Sequence, residues 1–329
     1  MGPPALFIEE EMALMAVAAK ASGSRRKGFS ESLYAYGYIT PALVAMVFAS
    51  FVPICFTIFV AFTNWDQSHN ALVEGFHFVG LRNFRTILSD LRGELLGVLI
   101  WTVAFAAIAT TINFFVGLFL AFLLNNPNMP ERNFYRTILI LPWAVPGTIM
   151  TTAWSGLLNV NFGPVNTLLN QLHISAIPWL TDPNWARFTV IMVNLWFGYP
   201  FMMTANLGAL QSIPTDLMEA ALVDGAGIFT RFWRITFPLL RSATLPLVIS
   251  TFAFNLNNFG AVYVLTGGGP FSLGKVSGAT DILPTYTYKL AINLSLFGLA
   301  SAYAVVIFFF VAGFSLINMK YSRAFEAVD

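Results

Sequence analysis

The sequence has few charged residues and very few residues suited to covalent or metal chemistry. Of its 329 residues, 10% are Asp, Glu, Lys or Arg, three are histidine and one is cysteine. A lone cysteine excludes an intrachain disulfide framework and a paired-cysteine metal site, and Cys55 lies in an apolar run typical of buried packing. The net charge of +1 gives no reason to expect a nucleic-acid partner.

Motifs for nucleotide binding and catalysis are also absent. No GxxxxGK[ST] phosphate loop occurs, and the glycines at 267–269 are followed by Pro270 rather than lysine. The histidines lie outside the long hydrophobic runs and form no triad pattern; they are His69, His77 and His173. We therefore predict no enzyme, no metal and no cofactor of its own, and no proton acceptor within the membrane.

Long uncharged hydrophobic runs are what the sequence has in abundance. Hydrophobic residues make up 57% of the chain, and the mean hydropathy is +0.70. A helix needs about 20 apolar residues to cross a bilayer. Six charge-free blocks qualify: Tyr38–Phe62, Leu96–Leu124, Thr137–Leu158, Phe188–Leu210, Leu245–Leu265 and Leu296–Met319. The predicted fold is all-α, a polytopic membrane bundle of six transmembrane helices.

The distribution of Lys and Arg predicts the orientation, because these residues concentrate on the cytoplasmic side. They are more numerous near the two ends and in the second and fourth connections than in the other connections, which include Lys275 and Lys289. We therefore place both termini in the cytoplasm. The predicted organisation is an N-terminal cytoplasmic segment 1–33, a six-span domain 34–319 and a cytoplasmic tail 320–329, with outer loops 64–95, 159–187 and 267–295 and a cytoplasmic loop 211–241.

The loop 211–241 has the pattern of a short helix that docks into another protein. Pro214 suits the first position of a helix, and Asp216 and Glu219 follow where the helix dipole favours negative charge. Gly225 suits a C-terminal cap, and Pro238 precedes the next span. A second short helix is expected over 228–235. An ordinary amphipathic surface loop is the alternative interpretation.

The spacing of this loop resembles the signature of bacterial ABC importer permeases. The signature reads EAA, three residues, Gly, nine residues, Ile, one residue, Leu-Pro, and Phe237 replaces its leucine here. The resemblance implies a coupling helix that sits in a cleft of a partner ATPase. It assigns this role to Glu219, Ala220, Ala221, Asp224, Gly225, Ile235 and Pro238.

Other segments resemble maltose-type permeases of that family, over about residues 34–320. They are the runs 194–201 (NLWFGYPF), 252–259 (FAFNLNNF) and 265–270 (LTGGGP), together with Tyr286-Thr287-Tyr288. The larger enteric maltose permease has two additional N-terminal spans and a bulky outer domain, where this chain has only the loop 64–95. How the contacts of that domain are replaced stays open.

The polar residues within the spans suit a sugar, which presents hydroxyl edges and apolar faces to neutral amides and aromatic rings. Asn255 and Asn258 lie three residues apart, and we expect both on one helical face beside Phe254. Asn194 and Gly198 are one turn apart, and the glycine would leave room for a sugar ring. Each asparagine has interhelical hydrogen bonding as its alternative role, and Trp143 near a span end is typical of an interface anchor.

The family resemblance assigns disaccharide contacts to seven positions in these spans. They are Asn194, Gly198, Phe201, Thr251, Phe254, Asn255 and Asn258. Phe201 and Thr251 stand where the maltose protein has tyrosine and serine, so the exact sugar stays open.

The resemblance implies the permease subunit of a binding-protein-dependent ABC importer in a bacterial or archaeal inner or plasma membrane. Its expected cargo is maltose, maltodextrin, trehalose or another α-glucoside, moved by ATP-driven alternating access. The expected partners are a second permease subunit in a heterodimer, an ATPase homodimer that holds ATP and Mg, an extracytoplasmic sugar-binding protein and membrane lipid. Two alternatives stay open: a secondary carrier or facilitator that needs no ATPase, and an ABC permease for glycerol phosphate.

Overall fold

The computed structural model describes residues 36–69, 71–126 and 128–321, and these form two compact units that divide between Phe59 and Val60. The predicted segment 1–33 and most of the predicted tail 320–329 lie outside the described residues. The described part has no strand beyond two isolated bridges. The predicted all-α class is confirmed.

Thirteen helices follow one another along the described chain. They are α1 Tyr36–Val60, α2 Ala71–Glu74, α3 Arg82–Asp90, α4 Leu96–Leu124, α5 Arg132–Ala144, α6 Gly147–Leu157, α7 Pro164–Gln171, α8 Pro183–Gln211, α9 Thr215–Val223, α10 Ile228–Leu256, α11 Phe259–Thr266, α12 Leu283–Tyr288 and α13 Phe297–Tyr321. Wide π-type turns interrupt α1 and α10, precede α4 and extend α12.

Four of these helices, α1, α4, α8 and α10, are long and apolar enough to cross a membrane. The bent pair α5–α6 would make a fifth span, and α13 is apolar over the shorter stretch Phe297–Gly313. The predicted count of six spans is therefore not confirmed by helix length and composition in the described chain.

The predicted span Thr137–Leu158 contains a sharp bend. Helix α5 ends at Ala144, and α6 begins at Gly147 after a bend of 91°. Val145 between them has extended backbone angles, which is the conformation that a following proline enforces, and Pro146 follows it.

The fifth predicted span, Leu245–Leu265, also differs from the structure. Helix α10 begins much earlier, at Ile228, so the expected separate helix over 228–235 is its first part. It ends at Leu256, and the chain leaves helical geometry at Asn257 and Asn258 before α11 begins.

Helices α4 and α8 form the centre of the larger unit and pack along much of their length. A side chain on Gly117 of α4 would collide with the backbone of Met203 and with Met202 of α8. Close approach of two helices at a small residue is typical of membrane bundles. Leu118, Met203 and Leu240 continue the core on one side of this contact.

Candidate functional site

One large cavity lies where α4, α5, α6, α8, α10 and α11 converge. Its volume is approximately 770 Å³. All seven residues that the sequence predicts for solute binding line it. Asn194, Gly198 and Phe201 come from α8, Thr251, Phe254 and Asn255 from α10, and Asn258 from the break before α11.

A row of hydrogen-bonded amides crosses three helices beside this cavity. Asn113 Nδ2 of α4 donates to Asn194 Oδ1 of α8 at 3.0 Å, and Asn194 Nδ2 donates to Asn255 Oδ1 of α10 at 3.0 Å. Asn255 Nδ2 then donates to Thr110 Oγ1 of α4, also at 3.0 Å. Asn194 and Asn255 are 5% and 2% exposed. These two asparagines thus make the interhelical bonds that were the alternative to ligand contact.

Asn258 occupies a different environment from the row. It stands at the N-terminal end of α11, makes no side-chain capping bond and is half-buried. Because α10 has already ended at Leu256, the prediction that Asn255 and Asn258 share one helical face is wrong. The broken helix nevertheless brings both to the same cavity.

The space over Gly198 is occupied by protein. A methyl group on Gly198 would collide with Nδ2, Cγ and Oδ1 of Asn113. The expectation that this glycine leaves room for a sugar ring is therefore wrong in this conformation. The glycine instead admits a polar side chain from α4.

Aromatic side chains form the more exposed wall of the cavity. Phe254 is 67% exposed and Trp143 is 57% exposed. The rings of Trp143 and Phe201 lie 6.1 Å apart between centroids. Trp143 was expected to be an interface anchor, but it lines the cavity, because α5 ends just beyond it.

Sequence reasoning missed several lining residues. They are Asn113, Trp143, Gly147, Thr148, Thr151, Phe197, Ser250, Asn257, Phe259, Gly260 and Ala261. The signal for Asn113 was its amide within an uncharged span, where polar groups need partners. Among the described residues that line the cavity, all are uncharged.

The predicted coupling residues lie on α9 and the start of α10. Glu219 and Ala220 are exposed on α9, Asp224 is its C-terminal cap residue, and Ala221 is buried. Gly225 has a φ of +73°, as its predicted capping role requires. Ala226 N donates to Ala221 O, and Gly225 N donates to Leu222 O, which is the Schellman pattern that ends a helix.

Ile235 and Pro238 lie farther on, within α10. Ile235 is half-buried and Pro238 is exposed. Around α9 the structure exposes large apolar side chains, Val223 at 89% and Phe229 at 82% among them, together with Trp233. Pro214 precedes the first helical residue of α9 rather than occupying that position.

A second polar cluster, away from the predicted site, holds the segment 267–293 in place. Lys289 Nζ donates to Asp281 Oδ2 at 2.6 Å, and both side chains are buried. Glu94 accepts hydrogen bonds from the backbone N–H of Val276 and of Ser277. Lys289 was counted as an outer-loop charge, but the structure removes it from solvent.

Three further hydrogen bonds belong to this cluster. Asp281 also accepts from Gly278 N and Thr285 Oγ1. Arg187 of α8 donates through Nε to Ala279 O at 2.9 Å. Burial raises the pKa of Asp281 above its ordinary value, although its hydrogen bonds and Lys289 oppose that shift.

A family model described as "Binding-protein-dependent transport system inner membrane component" matches residues 113–323. The match includes the cavity, α9 and the segment 267–293. The chain belongs to this family. Its members are permease subunits of ABC importers, so the chain is a multi-pass membrane protein.

Curated relatives of this permease cover most of it. A galactooligosaccharide transport system permease protein of Bacillus subtilis is 38% identical over 296 residues, covering 89% of this chain and 71% of the relative. A maltodextrin transport system permease protein of Streptococcus pneumoniae is 38% identical over 314 residues, covering 92% of this chain and 72% of the relative. A maltose/maltodextrin permease of Photorhabdus laumondii is 42% identical, and the chain covers 54% of that relative.

A solved structure shares the permease fold. It is described as a bacterial ABC transporter involved in the import of the acidic polysaccharide alginate. The TM-score is 0.75 at 21% identity, and the match covers 91% of this chain and 98% of that chain. A second structure of the alginate transporter, in complex with a periplasmic protein bound to an alginate pentasaccharide, also has a TM-score of 0.75 at 20% identity, covering 90% of this chain and 96% of that chain. The predicted ABC importer permease fold is confirmed.

Proposed function

We propose that this permease conducts a neutral oligosaccharide of the α-glucoside class across a bacterial or archaeal inner or plasma membrane. Maltose, maltodextrin or trehalose is the cargo we favour. The observation that carries the proposal is the composition of the cavity. Amides, hydroxyls and exposed aromatic rings line it, and a neutral sugar can use all three.

The cavity has room for a sugar of more than one ring. Its 770 Å³ falls within the range of about 300–1,000 Å³ that is typical of small-molecule sites. Trp143, Phe201 and Phe254 offer apolar faces for the C–H side of a ring, and Asn258 offers an amide that is not used in helix capping. The maltodextrin and galactooligosaccharide permeases named above support a sugar without distinguishing the linkage.

Transport is driven from the cytoplasmic side in this proposal. Glu219, Ala220, Ala221, Asp224 and Gly225 form a docking surface for an ATPase, supported by Ile235 and Pro238 at the start of α10. The exposed apolar side chains beside α9 support such a contact, because large exposed apolar patches mark interaction sites. ATP-driven closure of the ATPase dimer would open the cavity outward, and hydrolysis would reset it inward.

The proposed assembly contains a second permease subunit in a heterodimer, an ATPase homodimer and an extracytoplasmic sugar-binding protein. The chain itself is non-catalytic, and ATP and Mg would be bound by the ATPase. Both termini and the segment 211–241 would face the cytoplasm, and the segments 64–95, 159–187 and 267–295 would face outward.

Uptake into proteoliposomes tests cargo and energy source together. The assembled complex is reconstituted with its binding protein and given ATP inside, and a panel of labelled di- and oligosaccharides is offered outside. We expect ATP-dependent uptake of α-glucosides and none of glycerol phosphate. Uptake of glycerol phosphate alone would support the anion alternative, which the uncharged cavity disfavours.

Variants of the segment around α9 test the coupling surface. Glu219→Ala and Gly225→Ala are expected to lower sugar uptake about tenfold or more while the complex still hydrolyses ATP. An alanine at the positive φ of Gly225 costs about 1–2 kcal/mol and distorts the helix end. Gly227→Ala is the matched control, because Gly227 has an extended conformation and open space around it. Equal uptake by all three variants would refute the docking role.

A further inference from the structure

Asn113 was not among the predicted site residues, yet it touches the cavity, Gly198 and the amide row. It lies on α4, is 1% exposed and lines the cavity. Its Nδ2 is used in the bond to Asn194, whereas its buried Oδ1 has no hydrogen-bond partner among the described residues. A buried acceptor without a partner is costly and needs a reason.

The geometry of α4 and α8 shows what holds the Asn113 side chain in this place. Gly117 follows Asn113 by one turn on α4, and Met202 follows Gly198 by one turn on α8. Each helix contributes a glycine at the contact: Gly117 receives the α8 backbone, and Gly198 receives the Asn113 amide. The absence of a side chain at Gly198 therefore leaves room for the Asn113 amide, which donates to Asn194 from that position.

We infer that Asn113 and Gly198 act as one unit that positions Asn194, and through it Asn255, at the edge of the cavity. This inference rests on the proposed function, because it deepens the description of the same site. Asn113 is a positioning residue here, not a solute contact. Gly198 matters to solute binding through the amide that it admits rather than through open space for the solute.

If this inference is correct, Gly198→Ala raises the sugar concentration for half-maximal uptake strongly in the native protein and only slightly when Asn113 is also replaced by alanine. In the native background the new methyl group displaces the Asn113 amide, and the sugar concentration for half-maximal uptake should rise about tenfold or more. In an Asn113→Ala background the colliding atoms are gone, and the same change should add less than about twofold. Such non-additivity is the sign of two residues in direct contact.

If Gly198 instead makes room for the sugar, its methyl group would be equally harmful in both backgrounds. Additive effects in this double-mutant cycle would overturn the inference. Gly208→Ala is the control on the same helix, because nothing lies within 4 Å of its added carbon. We expect that variant to leave the half-saturating concentration unchanged.

Asn113→Leu separates positioning from simple packing. Leucine keeps the branched shape but cannot donate to Asn194, and it removes the unpartnered oxygen. We expect the half-saturating sugar concentration to rise about fivefold, the equivalent of one neutral hydrogen bond, with the unfolding temperature within about 2 °C of the native complex. A parallel loss of unfolding temperature with no change in half-saturation would refute positioning.

Failure of the proposed function can be told apart from failure of this inference. If the native complex transports no sugar of the panel, the proposed function is wrong. The double-mutant cycle of Asn113 and Gly198 can still be measured by the unfolding temperatures of four purified complexes: the native one, the two single variants and the double variant. Non-additive temperatures would then support the contact unit, and additive temperatures would refute it.

Discussion

The cavity and the segment 267–293 both remove polar side chains from water, but with different chemistry. In the cavity, neutral amides bond to one another from helix to helix. In the segment, charged side chains hold backbone groups and one another, with the buried pair of Lys289 and Asp281 at the centre. Neutral bonds between membrane helices are worth about 0.6 kcal/mol on average, whereas breaking a buried ion pair costs about 3–5 kcal/mol.

This contrast suits two different tasks. A site that must accept and release a solute benefits from bonds that exchange at little cost. A segment that packs against several helices benefits from contacts that do not exchange. Glu94 and Arg187 reach this segment from two other elements, and Lys289 pairs with Asp281 within it, so the segment is held both from outside and internally. Variants in the two regions should therefore differ in how much free energy of unfolding they lose.

Lys289→Met should have the largest effect on stability. It leaves the carboxylate of Asp281 buried without its cation, and we expect a loss of about 3–5 kcal/mol in the free energy of unfolding. Denaturant unfolding of the purified protein measures it. Lys275→Met removes an exposed lysine of the same segment and is the control. Similar losses of unfolding free energy in the two variants would show that the buried pair of Lys289 and Asp281 contributes no more to stability than an exposed lysine.

Glu94→Ala should have the next largest effect. It removes the acceptor of the Val276 and Ser277 N–H groups, and a hydrogen bond to a charged group is worth about 1.5–3 kcal/mol. We expect faster proteolysis near Leu273, which is fully exposed. The exposed Glu74 provides the control, Glu74→Ala. Unchanged cleavage rates in Glu94→Ala would contradict the restraint.

Thr110→Val tests the neutral network in the same way. Valine keeps the shape of threonine but cannot accept the bond from Asn255 Nδ2. We expect a loss of about 0.6–1.7 kcal/mol, well below that of Lys289→Met. Thr152→Val, at an exposed threonine, should change unfolding less. A loss as large as that of Lys289→Met would remove the distinction between the two regions.

Asn258→Ala should affect solute binding and leave stability unchanged. Its side chain makes no capping bond, so its removal costs the fold little. We expect about a fivefold rise in the sugar concentration for half-maximal uptake. Asn170→Ala, on the exposed part of α7, is the control. Unchanged half-saturation in Asn258→Ala would assign this asparagine a structural role only.

Helix composition made much of the fold predictable. Spans such as Leu96–Leu124 are uncharged and mostly apolar, and a run of that length has one stable form in a membrane, because a helix satisfies all of its backbone groups. The break at Asn257 was not predictable in the same way. The sequence pattern of an apolar run is the same whether its helix continues or breaks. Which of the two occurs depends on contacts with neighbouring helices.

The candidate site was likewise predictable from the sequence only in part. The family resemblance, together with the amides and aromatic rings that stand out in charge-free spans, selected seven positions that meet at one cavity. Their individual environments were not predictable. Whether Asn194 faces a solute or Asn113 depends on the register between α4 and α8, and one sequence carries no direct signal for that register. Lys289 looked like an outer-loop charge because its partner, Asp281, is identified only by folding.

The most direct test of the account compares uptake by the chain alone with uptake by the assembled complex in the same proteoliposomes. We predict that labelled maltodextrin enters only when the ATPase, the second permease subunit, the binding protein and ATP are all present, and that Glu219→Ala abolishes most of that uptake. Uptake of the same sugar by the chain alone, independent of ATP, would contradict a neutral cavity driven by an ATPase at α9.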